Sequence, residues 1–236
     1  MVGMRQNLAD ALQAVDWNDN VAKFCKAKSR LDKLASCCFR ISIFTHEISF
    51  QNYDNPAIPF LQEMKASAFQ VPACLSLGLS KPAAGLMRAA VESALYYTYF
   101  SNHHQELKTL LSKPDYYLSR RNIMEYHKLH TDNFGKVDNE VHLTSKMEAW
   151  YGEVSAIVHG QIPGVWTSKS LRNTATLTID ADPPIKLFQR ASEIIQLILL
   201  MTIPTDDWEG ISPFSRAKLL GELNKQQCDA LGLSKV

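Results

Sequence analysis

The chain has 236 residues, 46% of them hydrophobic and 21% charged, with a net charge of +1. This is the balance of a globular protein long enough to bury a real core, and it excludes a globally basic nucleic-acid binder, so any polyanion site must be a local patch. Five cysteines (Cys25, Cys37, Cys38, Cys74, Cys228) are odd in number and form no CxxC pair, which reads as reduced thiols in a cytoplasmic protein.

MVGMRQNLAD lacks the apolar stretch of a secretory signal, and IIQLILLM at 194–201 is too short to span a bilayer, so no membrane association is expected. Residues 1–55 read as a helical extension. Asp16 and Asn18–Asn20 supply turn and cap signals before Val21, Phe24, Cys25, Leu31, Leu34, Ala35 and Cys38, which recur at three and four. FQNYDNPAIP then breaks the chain with two prolines. Phe60, Leu61, Met64, Ala68, Val71, Leu75 and Leu79 outline a second helix, with Pro72 as a kink or boundary. Ser80-Lys81-Pro82 is a tight connection with proline in the first turn of a third helix, 82–101.

A polar stretch follows from about 104 to 131, in which Pro114-Asp115 can open a new helix. Helical spacing returns at 143–159, where Leu143, Met147, Trp150, Tyr151, Val154 and Val158 share a face. Residues 160–184 form a small β or loop insertion, because 175–180 alternates as a short strand and Pro183-Pro184 ends it. Two further helices, about 185–203 and 213–231, close the chain. No repeat, low-complexity tract or linker divides it. The expectation is a single all-α domain over 1–236, with its core at about 60–160 and extra helices at both ends.

Between Pro82 and Asn102 the only charged residues are Arg88 and Glu92. They stand four apart on one face, and Tyr96 continues the stripe a turn later. Everything else there is small or apolar, as in a central helix. Burying such a pair is costly unless it is partnered, so it is either a structural ion pair at the bundle edge or a polar pocket whose arginine meets an anion.

A second stripe runs along 143–159, where Tyr151, Ser155 and His159 fall four apart and Gly160 supplies a left-handed C-terminal residue. His159 therefore stands where the helix dipole favours an imidazolium and where a side chain reaches past the helix end. It is either a cap for its own helix or a working group, an acid or a phosphate ligand.

RAAVESALYY, followed about 55 residues later by YxxxSxxVHG, resembles the HEPN superfamily of helical bundles, and more narrowly a group of bacterial HEPN-like proteins. That group pairs Arg-x-x-x-Glu on one helix with Ser-x-x-x-His at the end of a later one. The resemblance covers roughly residues 60 to 160 and implies a homodimeric bundle. It also implies ribonuclease activity of the kind found in toxin–antitoxin and anti-phage systems, with a cognate antitoxin or defence-system partner and no cofactor or metal. Catalytic family members carry an arginine separated from the histidine by four to six residues. Here Tyr151, Gly152, Glu153 and Val154 stand in those places, so the motif is degenerate and Arg88 is the candidate to supply the cation.

A more literal match is SRRNIMEYH, with five residues between Arg121 and His127. On a regular helix these two diverge by about 240°, whereas Arg120 and His127, seven apart, share a face. Lys113, Arg120, Arg121, Lys128, His127 and His130 are interleaved with Tyr116, Tyr117 and Tyr126, the densest basic and aromatic patch in the chain. Cations position phosphates and aromatics stack unpaired bases, so Lys113, Arg120, Tyr126 and Lys128 are candidate RNA contacts. No GxGxxG, GxxxxGK[ST], HExxH or GxSxG motif is present.

Two functions follow as expectations. One is a metal-independent ribonuclease in which His159 or His127 is the acid/base, Arg88 or Arg121 the phosphate clamp, Glu92 part of the same site and Ser155 an orienting group. The other is a catalytically silent bundle that binds a partner protein or a nucleotide-like ligand.

Overall fold

The computed structural model describes residues 2–161 and 182–233. The expected strand at 175–180 lies outside them. The described residues form thirteen helices and no strand, an all-α fold. They are α1 (Val2–Gln13), α2 (Trp17–Cys25), α3 (Lys28–Gln51), α4 (Ile58–Ser76), α5 (Ser80–Phe100), α6 (His104–Ser112), α7 (Arg120–His130), α8 (Phe134–Val141), α9 (Leu143–Val158), α10 (Asp182–Thr202), α11 (Thr205–Gly210), α12 (Pro213–Gly221) and α13 (Lys225–Leu231). Among the described residues no helix is long and apolar enough to cross a membrane.

The centre of the bundle is α5. Ala83, Ala84, Met87, Ala90, Val91 and Ala94 are all fully buried, and their small side chains let neighbouring backbones approach closely. The α4–α5 pair is the most extensive in the fold, joined by a turn at Gly78 (φ +77°) where only glycine is free of strain. Leu79 N–H donates to the Cys74 carbonyl at 2.7 Å and Gly78 N–H to Leu75 at 3.0 Å, a Schellman closure that folds the two helices back on each other. Both α9 and α10 pack on α5, while α3 packs on α4 and α10. The 194–201 run is wholly buried in α10, apart from its polar member only in chemistry: Gln196 donates its amide to the Leu219 carbonyl.

Pro72 does not end α4. The helix runs through it to Ser76. A proline removes the donor owed to the carbonyl four residues back, here that of Ala68, and the Cys38 thiol of α3 lies 3.7 Å from that oxygen and donates instead. Burial pushes the Cys38 pKa up to about 12, so the thiol keeps its proton.

Other boundaries differ from the sequence pattern for local reasons. Pro114-Asp115 opens no helix. Instead Ser119 caps α7, its hydroxyl accepting from Asn122 N–H at 3.2 Å. The short α8, absent from the sequence reading, is bounded by Asn133 and His142, both left-handed at φ +57° and +58° and neither a glycine. Pro183-Pro184 sits in the first turn of α10, where missing N–H groups cost nothing. The expected 213–231 helix is two, because Asn224 and Gln227 form a capping box that starts α13.

Trp150 fixes α9 against α10. It is fully buried, and its indole N–H donates to the Leu187 carbonyl at 3.0 Å. Trp150→Phe removes the donor and leaves that carbonyl unsatisfied, so urea unfolding should show a loss of about 1–3 kcal/mol.

Candidate functional site

Three helices converge at one edge of the bundle. Arg88 and Glu92, a turn apart on α5, form an ion pair with Arg88 Nε 2.9 Å from Glu92 Oε1. The same oxygen accepts the Tyr151 hydroxyl of α9 at 2.7 Å. Arg88 and Glu92 are half-buried at the rim rather than sunk in the core, whereas Tyr151 is 3% exposed. Burial, with Glu92 beside it, holds the Tyr151 phenol far above the usual tyrosine range, and the Glu92 hydrogen bond raises Arg88.

The ring of Tyr151 carries two guanidiniums. Arg88 Cζ lies 5.5 Å from its centroid and Arg120 Cζ 4.2 Å. Arg120 is the first residue of α7, and the Ser119 cap sets the angle at which its side chain turns back over α9. The basic 113–130 stretch and the Arg88/Glu92 stripe therefore share one member.

His159 closes the site from the end of α9. Gly160 (φ +66°) and Gln161 complete a Schellman motif, with Gly160 N–H on Ile157 at 3.2 Å and Gln161 N–H on Ala156 at 2.9 Å. The helix end is thus capped by backbone. The exposed imidazole points elsewhere, with Nε2 3.5 Å from Arg88 Nη1. Guanidinium has donors only, so a hydrogen bond in this contact requires Nε2 to be the acceptor. Ser155, half-buried, lies one turn before His159 on the same helix. Glu153 turns away from the site and pairs with Arg190 of α10.

The second constellation does not assemble as the sequence suggested. His127 is 2% exposed, with Nδ1 2.9 Å from Thr131 Oγ1 and Nε2 3.0 Å from Thr98 Oγ1. Arg121 is exposed on the opposite side of α7. His127 with both nitrogens engaged is a structural residue, which corrects its place, and that of Arg121, in the expected acid/base pair. Lys128 pairs with the buried Asp138 at 3.5 Å, and Tyr126 packs against Tyr99 and His103, with centroids 5.1 and 4.6 Å away. Lys113 is exposed at the end of α6. The patch is therefore not one continuous face.

Two residues were not singled out for the site by the sequence pattern, Tyr117 being counted only within the basic and aromatic run and Leu118 not at all. Tyr117 and Leu118, in the segment before α7, line a cavity of about 180 Å³ beneath Arg88 and Arg120. The signal that could have found them is the Ser119 cap, which fixes the approach of that segment. Larger cavities lie elsewhere, such as one of about 800 Å³ beside α8, but there the buried histidine is already saturated by threonine hydroxyls. The chemistry gathers in the smaller one. Among the described residues no group of three or more His, Cys, Asp or Glu is arranged to hold a metal ion. No family model, curated protein or solved structure matches the chain.

Burial, with His103 as a second cause, pushes His127 down from 6.5 to about 4. Between those values the unfolded chain binds a proton that the folded chain refuses, so stability is full above about pH 6.5 and falls as the pH drops toward 4. The loss should be on the order of 3 kcal/mol. Urea melts at pH 7 and pH 4 of the wild type and of His127→Leu should show a steeper fall for the wild type.

Proposed function

We propose that this chain is a HEPN-type protein that cleaves RNA without a metal ion, with His159, Arg88 and Arg120 as its working groups. What supports the reading is the convergence of His159 and Arg88 from two helices, 3.5 Å apart, beside a second guanidinium on the Tyr151 ring. In the reaction the ribose 2′-oxygen bonds to phosphorus while a base takes its proton. The bond to the 5′-oxygen breaks as an acid protonates it, leaving a 2′,3′-cyclic phosphate and a 5′-hydroxyl. Two guanidinium forks match phosphate oxygens and stabilise the charge of the phosphorane. His159 gives or takes the proton, and Ser155 orients it.

One imidazole cannot be base and acid in the same step. The resemblance supplies the second from another copy, so the reading includes a homodimer with two His159 residues facing one groove. A toxic activity of this kind calls for restraint by an antitoxin or defence-system partner. The silent binder keeps one specific observation in its favour: Glu153 replaces the family arginine and is turned to Arg190, away from the site.

Purified protein should cut single-stranded RNA to cyclic-phosphate ends, and His159→Ala and Arg88→Ala should each lower the rate by about 10²–10⁴. His159 is exposed, so its variant should keep the wild-type melting temperature. RNA bound but uncut by the wild type would favour the silent bundle, and no RNA binding at all would discard the reading. Light scattering at micromolar concentration should return a dimer, and a monomer would overturn the shared-site mechanism.

A further inference from the structure

The cavity beneath Arg88 and Arg120 has the build of a slot. Its floor is apolar, Leu95 and Ile123, at 1% and 0% exposure. Its walls are rings, Tyr151 and Tyr96 from the bundle and Tyr117 from the segment before α7. Tyr117 is 72% exposed, yet the residues on either side of it are tied down. The Tyr116 hydroxyl donates to Glu106 Oε2 at 3.1 Å, and the Leu118 carbonyl accepts from the Tyr96 hydroxyl at 3.4 Å. An open aromatic face held from both sides is a preorganised stacking surface.

The polar rim of the slot is Glu92. Its Oε1 is used twice, by Arg88 and Tyr151, while Oε2 accepts no hydrogen bond among the described residues and the side chain is 40% exposed. The volume, about 180 Å³, is below the about 300–1,000 Å³ of pockets for larger ligands. It suits one flat ring system, with a sugar and phosphate left outside where the guanidiniums and His159 stand.

We propose that this slot takes a single unpaired nucleobase, guanine above the others, with Tyr117 as the stacking face and Glu92 Oε2 as the acceptor that reads its edge. The inference rests on the RNA reading for the strand that carries the base. Guanine alone presents two adjacent donors, N1–H and the 2-amino group, to a carboxylate. Adenine and cytosine set an acceptor beside their donor, and the single N–H of uracil is flanked by two carbonyl oxygens that a carboxylate repels. A base in a duplex has both its faces and its edge occupied, so the slot selects single strands.

The test uses the full chain and labelled oligouridylate strands, one with a single central guanosine and one without, by fluorescence anisotropy. The guanosine strand should bind on the order of tenfold tighter, and annealing it to its complement should remove the advantage. Tyr117→Ala should weaken it by about 5- to 150-fold, the range for one base–aromatic stack, and Tyr117→Trp should restore binding. Equal binding of the two strands, or a Tyr117→Ala variant that binds the guanosine strand as well as wild type, would overturn the slot. The two readings fail separately. Guanosine preference without cleavage sinks the ribonuclease and keeps the slot, while His159-dependent cleavage without base preference does the reverse.

Discussion

The site depends on one oxygen atom. Glu92 Oε1 accepts from Arg88 on its own helix and from Tyr151 on α9, and so ties the two helices together and fixes where both side chains point. Without that carboxylate the buried phenol of Tyr151 would lose its acceptor at a cost of about 1–3 kcal/mol. Arg88 would lose the tether that turns its guanidinium toward His159. An exposed helix-surface ion pair is worth only a few tenths of a kcal/mol by itself. The half-buried pair here owes its importance to the third member, whose burial makes the network costly to break.

That geometry explains how polar and charged groups gather at one edge of an otherwise apolar bundle. Small residues along α5 bring α4, α9 and α10 close, and the charged pair of the central helix, Arg88 and Glu92, comes out at the seam between α5 and α9. The Schellman closure at Gly160 satisfies the last carbonyls of α9 from the backbone, which releases the imidazole of His159 from capping duty. Arg120 arrives from outside the pair, on a helix whose start is set by a serine. Three local rules, a helix pitch, a glycine turn and a hydroxyl cap, thus place three cationic or proton-carrying groups together.

Much of this was legible in the sequence, and the limits were physical. Arg88, Glu92, Tyr151 and His159 could be read because a polar stripe at four-residue spacing interrupts helices that are otherwise apolar, and such stripes find each other. The all-α class followed from the same periodicity. His127 misled because spacing carries no information about which side of a short amphipathic helix faces inward when histidine, tyrosine and methionine alternate with charges. Its two threonine partners, one from α5 and one from its own helix end, are tertiary facts. The helix α8 was hidden because its boundaries use left-handed asparagine and histidine where glycine is the usual signal. Tyr117 was seen only as part of a basic run, since a segment without periodicity gives no address for its side chains.

The thiol of Cys38, filling the gap that Pro72 leaves in α4, joins two helices through a donor that is neither backbone nor a strong polar group. Because burial keeps it protonated, the contact is insensitive to pH, yet it is a helix hydrogen bond whose donor is open to covalent chemistry. Alkylation or oxidation at that sulfur would take the donor from the Ala68 carbonyl and press the added group between α3 and α4. The speed at which a thiol reagent reaches Cys38 is therefore a clock for how often those two helices part.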